Sequence, residues 1–215
     1  MKYKNYLIPL LLILTPNILK SQIFDNYGLK ISYTRSKINV KEFDNYSTWR
    51  TGIKWSFFLE QHIYKSISTI IELEYAQKGY ISEQIETNEI GEKIQIVRAN
   101  TRLDYISVPI FMKISYNIST IKPFVLFGPR LDYMFSYKKG IFKFTKASVN
   151  DETAKYLDSV TVGSSLACGL IFPFLSKKNI IFEARYNNDF TDLWSKHNTW
   201  LVKNVSYDFG IGISL

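Results

Sequence analysis

Asp192, Ser195 and His197 fall within one short stretch of the chain, with Trp194 and Trp200 on either side of the histidine. A serine-based hydrolytic or acyl-transfer centre needs a base within hydrogen-bond reach of the hydroxyl and an acid that orients the imidazole. Neighbours in a single loop seldom hold that geometry, so no catalytic residue is assigned here. Glu72 and Glu74 stand two apart, which in a strand puts both carboxylates on one face. General acid–base work is one reading of such a pair; neutralisation by Lys or Arg across the fold explains it better. Cys168 is the single cysteine, and His62 and His197 are the two histidines. No internal disulfide and no structural zinc site can be built from that set, and no cofactor is expected.

The chain that must position these residues has 215 residues, 46% of them hydrophobic, enough for one sizeable domain. Its mean hydropathy of -0.08 argues against a bundle of membrane-crossing helices. Tyr and Phe number 15 each against 10 Gly and 6 Pro; these aromatics favour strands and gather at membrane–water interfaces. The formal charge is +8, of which Lys2, Lys4 and Lys20 contribute three near the start, leaving +5. That mild excess forms no basic run interleaved with stacking aromatics, so no nucleic-acid partner is expected.

Met1–Gln22 reads as an export signal, with Lys2 and Lys4 ahead of a short apolar core, Leu7–Leu14, and Ser21 before the expected cut. The core is short for a membrane span and carries Pro9. The expected organisation is a signal peptide over 1–21 and one domain over 22–215.

Past that point the apolar residues recur with period two, as the alternating faces of a strand require. Tyr27–Arg35, Trp49–Glu60, Ile67–Gly79, Arg98–Tyr116, Pro123–Tyr137, Val160–Phe174, Ile180–Phe190 and Val205–Leu215 each alternate. Phe58 is the misfit in its segment, standing on the polar face. In Arg98–Tyr116, Leu103 and Tyr105 read as outward, with a change of phase and a β-bulge near Tyr105–Ile106. One face is almost free of charge. The other carries Lys30, Arg50, Lys54, Glu72, Glu74, Lys78, Arg102, Asp104, Arg130, Asp132, Glu183, Arg185, Asp189 and Asp208. Charge inside and apolar residues outside is the arrangement of a barrel in lipid, whereas a lipocalin-like soluble barrel inverts it.

The connections between segments sort by length. Residues 36–48, 80–97, 138–159 and 191–204 are long, and 61–66, 117–122 and 175–179 are short. Short periplasmic turns and long external loops are the habit of outer-membrane barrels. The fold expected is all-β: a closed antiparallel up-and-down transmembrane β-barrel of about eight strands. Its lumen is expected to be packed with the fourteen charges named above, since about eight strands leave room only for side chains.

Leu103-Asp104-Tyr105-Ile106-Ser107-Val108-Pro109 resembles an L-x-Y-x-x-x-P strand, and Lys122–Pro129 (KPFVLFGP) is similar to a K-P-Y-V-x-x-G-P strand. Ala184–Asn187 with Phe190–Asp192, and Lys203-Asn204 leading into the last segment, are similar in turn. These are marks of the outer-membrane β-barrel family common in Bacteroidetes, which includes PorT-like proteins, and the likeness spans most of the chain after the leader. Asp189 and Asp192 replace the usual Gly and Asn, and Leu215 ends the chain where an aromatic is common. The resemblance implies no shared catalytic residues, and PorT itself is implied in secretion machinery.

The expectation is therefore an outer-membrane protein acting structurally or through its loops. A subunit of an envelope or secretion assembly stands second and a lipid-modifying enzyme third. Partners expected are outer-membrane lipid or lipopolysaccharide, the barrel-assembly machinery during insertion, and other envelope proteins. Lys138, Lys139, Lys143 and Lys146, beside Phe142 and Phe144, would meet the phosphate-bearing outer leaflet or a partner; Trp194 and Trp200 would serve as girdle residues or a binding patch.

Overall fold

Eight alternating segments predict eight strands, and eight form among the described residues. They are β1 (Asn26–Val40), β2 (Ser47–Tyr64), β3 (Ile67–Thr87), β4 (Lys93–Ser115), β5 (Lys122–Phe142), β6 (Val160–Leu175), β7 (Lys178–Asp189) and β8 (Val202–Ser214). The computed structural model describes residues 24–40, 47–87, 90, 93–142, 158–175, 178–193 and 202–215; the expected leader, 1–21, lies outside them.

Each strand pairs antiparallel with its neighbour in sequence, and β1 also pairs with β8, from Gly28↔Ser214 to Val40↔Val202, so the barrel closes. Closure gives every strand two partners and leaves no open edge, the condition for a sheet in hydrocarbon. The outward rows are apolar and exposed: Tyr27, Leu29, Ile31 and Tyr33 on β1, and Tyr207, Phe209 and Ile211 on β8, for example. The inward rows are buried and mixed in polarity.

Four details bear on the sequence expectation, and three of them differ from it. First, β4 keeps one phase throughout. Leu103 and Tyr105 are fully buried and point inward with Ser107 and Phe111, while Ile106, Val108 and Ile110 point outward. The register shift does fall at Asp104/Tyr105, but the extra residue is on the partner strand, because Asp104 pairs with Ser136 and Tyr105 with Met134. Phe135 is the bulged residue, and beyond it Tyr137 packs against the lumen instead of facing out. Second, Phe58 does stand on the inward row with the polar residues, as its place in the alternation requires, 2% exposed within an apolar lumen cluster. Third, His62 belongs to β2, not to a turn; its backbone N–H donates to Asp25 Oδ2 at 2.6 Å. Fourth, the connection expected over 80–97 is largely strand. Ser82–Thr87 pairs with Lys93–Ala99, so β3 and β4 rise past the barrel wall as a hairpin.

Candidate functional site

Inside the barrel, side chains are stacked in layers. Near the end that carries the β2–β3 turn, Phe58, Ile70, Phe111, Phe124, Leu126, Ala167, Ile171 and Ile181 form one apolar cluster. Near the opposite end Ile38, Val40, Tyr80, Leu103, Tyr105, Met134, Leu193 and Val202 form another. Between them lies a polar layer built from the inward rows of all eight strands, β4 contributing the small Ser107 opposite Asp132.

Arg185 on β7 is the hub of that layer. Its Nη1 reaches Glu74 Oε1 at 2.5 Å, its Nη2 reaches Glu72 Oε2 at 2.9 Å, and its Nε donates to Glu183 Oε1 at 2.7 Å. Lys30 bonds Glu72 and lies 2.7 Å from Glu183 Oε2. Lys54 lies 2.6 Å from Asp208 Oδ2 and 3.3 Å from Glu74 Oε1. A second group sits above: Arg130 Nε donates to both oxygens of Asp132 at 3.0 Å and Nη2 bonds Asp189, while Lys78 Nζ donates to Asp132 Oδ2 at 2.6 Å. Neutral groups join the two. Arg130 Nη1 donates to Ser165 Oγ at 3.1 Å, Ser165 to Asn187 Oδ1 at 2.7 Å, and Asn187 Nδ2 to Asp208 Oδ2 at 2.7 Å. The polar layer is continuous from Lys30 to Lys78.

Cations also cap the aromatic clusters: Arg185 stands 4.6 Å from the Phe111 ring centre, Lys30 5.5 Å from Phe58 and Lys78 4.9 Å from Tyr105. Contacts of this type suit guanidinium and ammonium groups held away from water. Such a layer can neutralise, orient and rigidify. Glu72 and Glu74 are both committed to Arg185, so they are not poised as an acid–base pair.

The structure brings together eleven of the fourteen charges expected in the lumen: Lys30, Lys54, Glu72, Glu74, Lys78, Arg130, Asp132, Glu183, Arg185, Asp189 and Asp208. The other three do not join them. Arg50, Arg102 and Asp104 lie on the outer wall. Arg102 and Asp104 occupy the row of β4 that also carries Ile106 and Val108, and their contacts are with Tyr75 on the outward row of β3. Arg50 follows the register shift of β2 between Trp49 and Lys54, and its Nε donates to Asn100 Oδ1 at 2.9 Å. Missing from the expected set are Glu60 and Lys113, whose ammonium lies 2.8 and 3.0 Å from the two carboxylate oxygens. Lys113 sits between the outward Met112 and Ile114, and that alternation was the signal for it. The pair borders a cavity of about 230 Å³ at the turn end of the barrel, lined also by Asn26, Asn117 and Asn179.

Cys168 is exposed on the outward row of β6. Lys138 is exposed at the far end of β5. The side chain of Lys139, and Lys143, Lys146, Trp194, Ser195, His197 and Trp200, lie outside the described residues. Among the described residues no group of three His, Cys, Asp or Glu is placed to hold a metal ion.

Residues 21–195 match the family model of the outer membrane protein beta-barrel domain. No curated protein matches the chain. Among solved structures it is similar to neisserial surface protein A, at 11% identity over 88% of this chain and 96% of that one, with a TM-score of 0.47. It is similar to Ail, the attachment invasion locus protein of Yersinia pestis, at 13% identity over 88% and 98%, with a TM-score of 0.40. It is similar also to the outer membrane enzyme PagL, at 11% identity over 85% and 97%, with a TM-score of 0.41.

Proposed function

From the premise that the chain belongs to the outer membrane protein beta-barrel domain family, and so resides in the bacterial outer membrane, we propose that it is a sealed, non-enzymatic barrel. In this reading it contributes to the envelope structurally and through its external loops. One observation carries this: the lumen is blocked at two levels by apolar clusters and between them by a continuous charge-paired layer. An ion entering that layer would have to displace groups already paired in a low-dielectric interior, where each broken pair is costly. The chain between β5 and β6, and that between β7 and β8 apart from the buried Leu193, is then what is left to act with.

Planar-bilayer recording of the purified, refolded protein tests the sealed lumen. The expected trace is closed, with no steady ohmic conductance; a reproducible unitary conductance would overturn the reading. A second role, as a subunit of an envelope or secretion assembly in the manner of PorT, rests on the Leu103–Pro109 and Lys122–Pro129 motifs. Purification in mild detergent at native expression would support it by a stoichiometric partner, and a lone monomer would count against it.

A further inference from the structure

The three charges that leave the lumen are built into a site on the outer wall. Gly79 on β3 has a φ of +138°, and a Cβ there would meet Thr101 O at 2.0 Å and Arg50 Cδ at 3.0 Å. The absent side chain is what lets the stem of Arg50 cross over β3 from β2. Beyond it, Arg50 Nη1 donates to Lys78 O at 3.3 Å and Nε to Asn100 Oδ1 at 2.9 Å on β4. Arg102 is the next outward residue on that strand, about 7 Å along. Its Nε donates to Asp104 Oδ1 at 2.7 Å and its Nη2 to the Tyr75 hydroxyl at 2.9 Å, and Gln77 Nε2 donates to the same hydroxyl at 3.0 Å. The Arg102 side chain stays 32% exposed while Asp104 beneath it is 5% exposed, so the acid orients the guanidinium and leaves it reachable from outside.

Position decides what can reach it. On β4 the apolar outward run ends at Ile106, and Asp104, Arg102 and Asn100 follow directly. Tyr75 and Phe135 form a ring pair at 6.1 Å at this level, as Trp49 and Tyr207 do at 5.4 Å; such a girdle marks the boundary between acyl chains and head groups. The cations continue around the wall. Register sets Ser36 opposite Arg50, so Arg35 and Lys37 flank it, 5.8 and 5.1 Å from the Trp49 ring centre. Two neighbouring guanidiniums with a single carboxylate among the described residues, on a wall that meets lipid head groups in a bilayer, are completed by an anion.

The geometry points to a lipid phosphate site in which Arg50 and Arg102 hold a phosphate of the outer-leaflet glycolipid, lipid A. Planar guanidiniums bind phosphate through paired hydrogen bonds. The assignment to the outer leaflet rests on the reading above that the long connections face the exterior.

Native mass spectrometry of the full detergent-purified protein with added lipid A tests the site. Wild type should retain bis-phosphorylated lipid A, and R50Q/R102Q should retain at least about tenfold less, two basic groups at a membrane surface being worth that much. A K122Q/K178Q control at the opposite end should bind as wild type. Unchanged retention by R50Q/R102Q overturns the site. Equal retention of dephosphorylated lipid A overturns the phosphate, and equal retention of phosphatidylglycerol overturns the glycolipid. If R50Q/R102Q loses its heat-dependent gel shift, R50K/R102K in its place keeps the charge but not the paired donors; it should bind several-fold less, and full retention overturns the clamp. Membrane-impermeant maleimide labelling of K138C in a Cys168→Ser background on intact cells checks orientation separately. No labelling there would sink the outer-leaflet assignment, whatever the lipid A result.

Discussion

Arg185 faces three carboxylates, from Glu72, Glu74 and Glu183, with its side chain 1% exposed. Replacing a buried pair wholesale by apolar groups can cost little, but removing one partner strands the rest. Arg185→Leu is therefore expected to lower unfolding stability by about 3–5 kcal/mol. Urea unfolding of the refolded protein, followed by the gel-shifted fraction, measures it, and a loss under about 1 kcal/mol would mean the cluster contributes no more than a surface pair. Gly79 gives a second test at this scale. Gly79→Ala puts a Cβ against Thr101 O at a backbone conformation that L residues rarely adopt, so about 1–3 kcal/mol of destabilisation is expected. Stability equal to wild type would show that the strand relaxes there. Most lumen charges were legible as residues, because a charge on the face opposite an apolar row in a barrel wall has only the lumen to enter. Arg50, Arg102 and Asp104 were not. They lie where the apolar run stops, and above that level charge no longer tells inside from outside.

The same limit explains the elements. All eight strands were legible because one face of each meets lipid, and lipid enforces an unbroken apolar row. The strand ends were not. Gln84–Thr87 and Lys93–Val97 pair with each other beyond the last described pairings with β2 and β5, where a lipid-facing wall no longer enforces alternation. Apolar residues in the lumen misled the phase of β4: Leu103 and Tyr105 were set outward for being apolar, although they fill the upper cluster. Unbroken alternation from Leu103 through Phe111 would have placed them correctly, with the bulge assigned to β5. Depth along an outward row can be measured directly. Leu73→Arg, at a 50% exposed position within the apolar row of β3, is expected to cost about 2–4 kcal/mol in a bilayer. Ile81→Arg, farther out on the same row, is expected to cost about 0–1 kcal/mol. Equal costs for the two would contradict the placement of the membrane boundary near Tyr75.

At the scale of the whole molecule, the closing seam ties the ends of the chain to its interior. β8 hydrogen-bonds to both β7 and β1, and its inward row delivers Asp208 to Lys54 and Ser206 to Asn187. Removing 202–215 would open two edges in hydrocarbon, where each unsatisfied backbone group costs several kcal/mol, and would leave Lys54 with Glu74 alone. No local rearrangement offsets that, since β1 and β7 cannot meet without changing strand number and with it the tilt and radius of the wall. Removing 144–156, from the chain between β5 and β6, leaves every strand and every member of the polar layer in place in the sequence. The truncation lacking 202–215 is therefore expected to run identically boiled and unboiled in SDS and to be digested by protease. The loop deletion should keep the shift between its boiled and unboiled forms and stay protected. A heat-dependent shift in the chain lacking β8 would mean that seven strands suffice for a stable wall, and the pairing of β1 with β8 would no longer account for the barrel's stability.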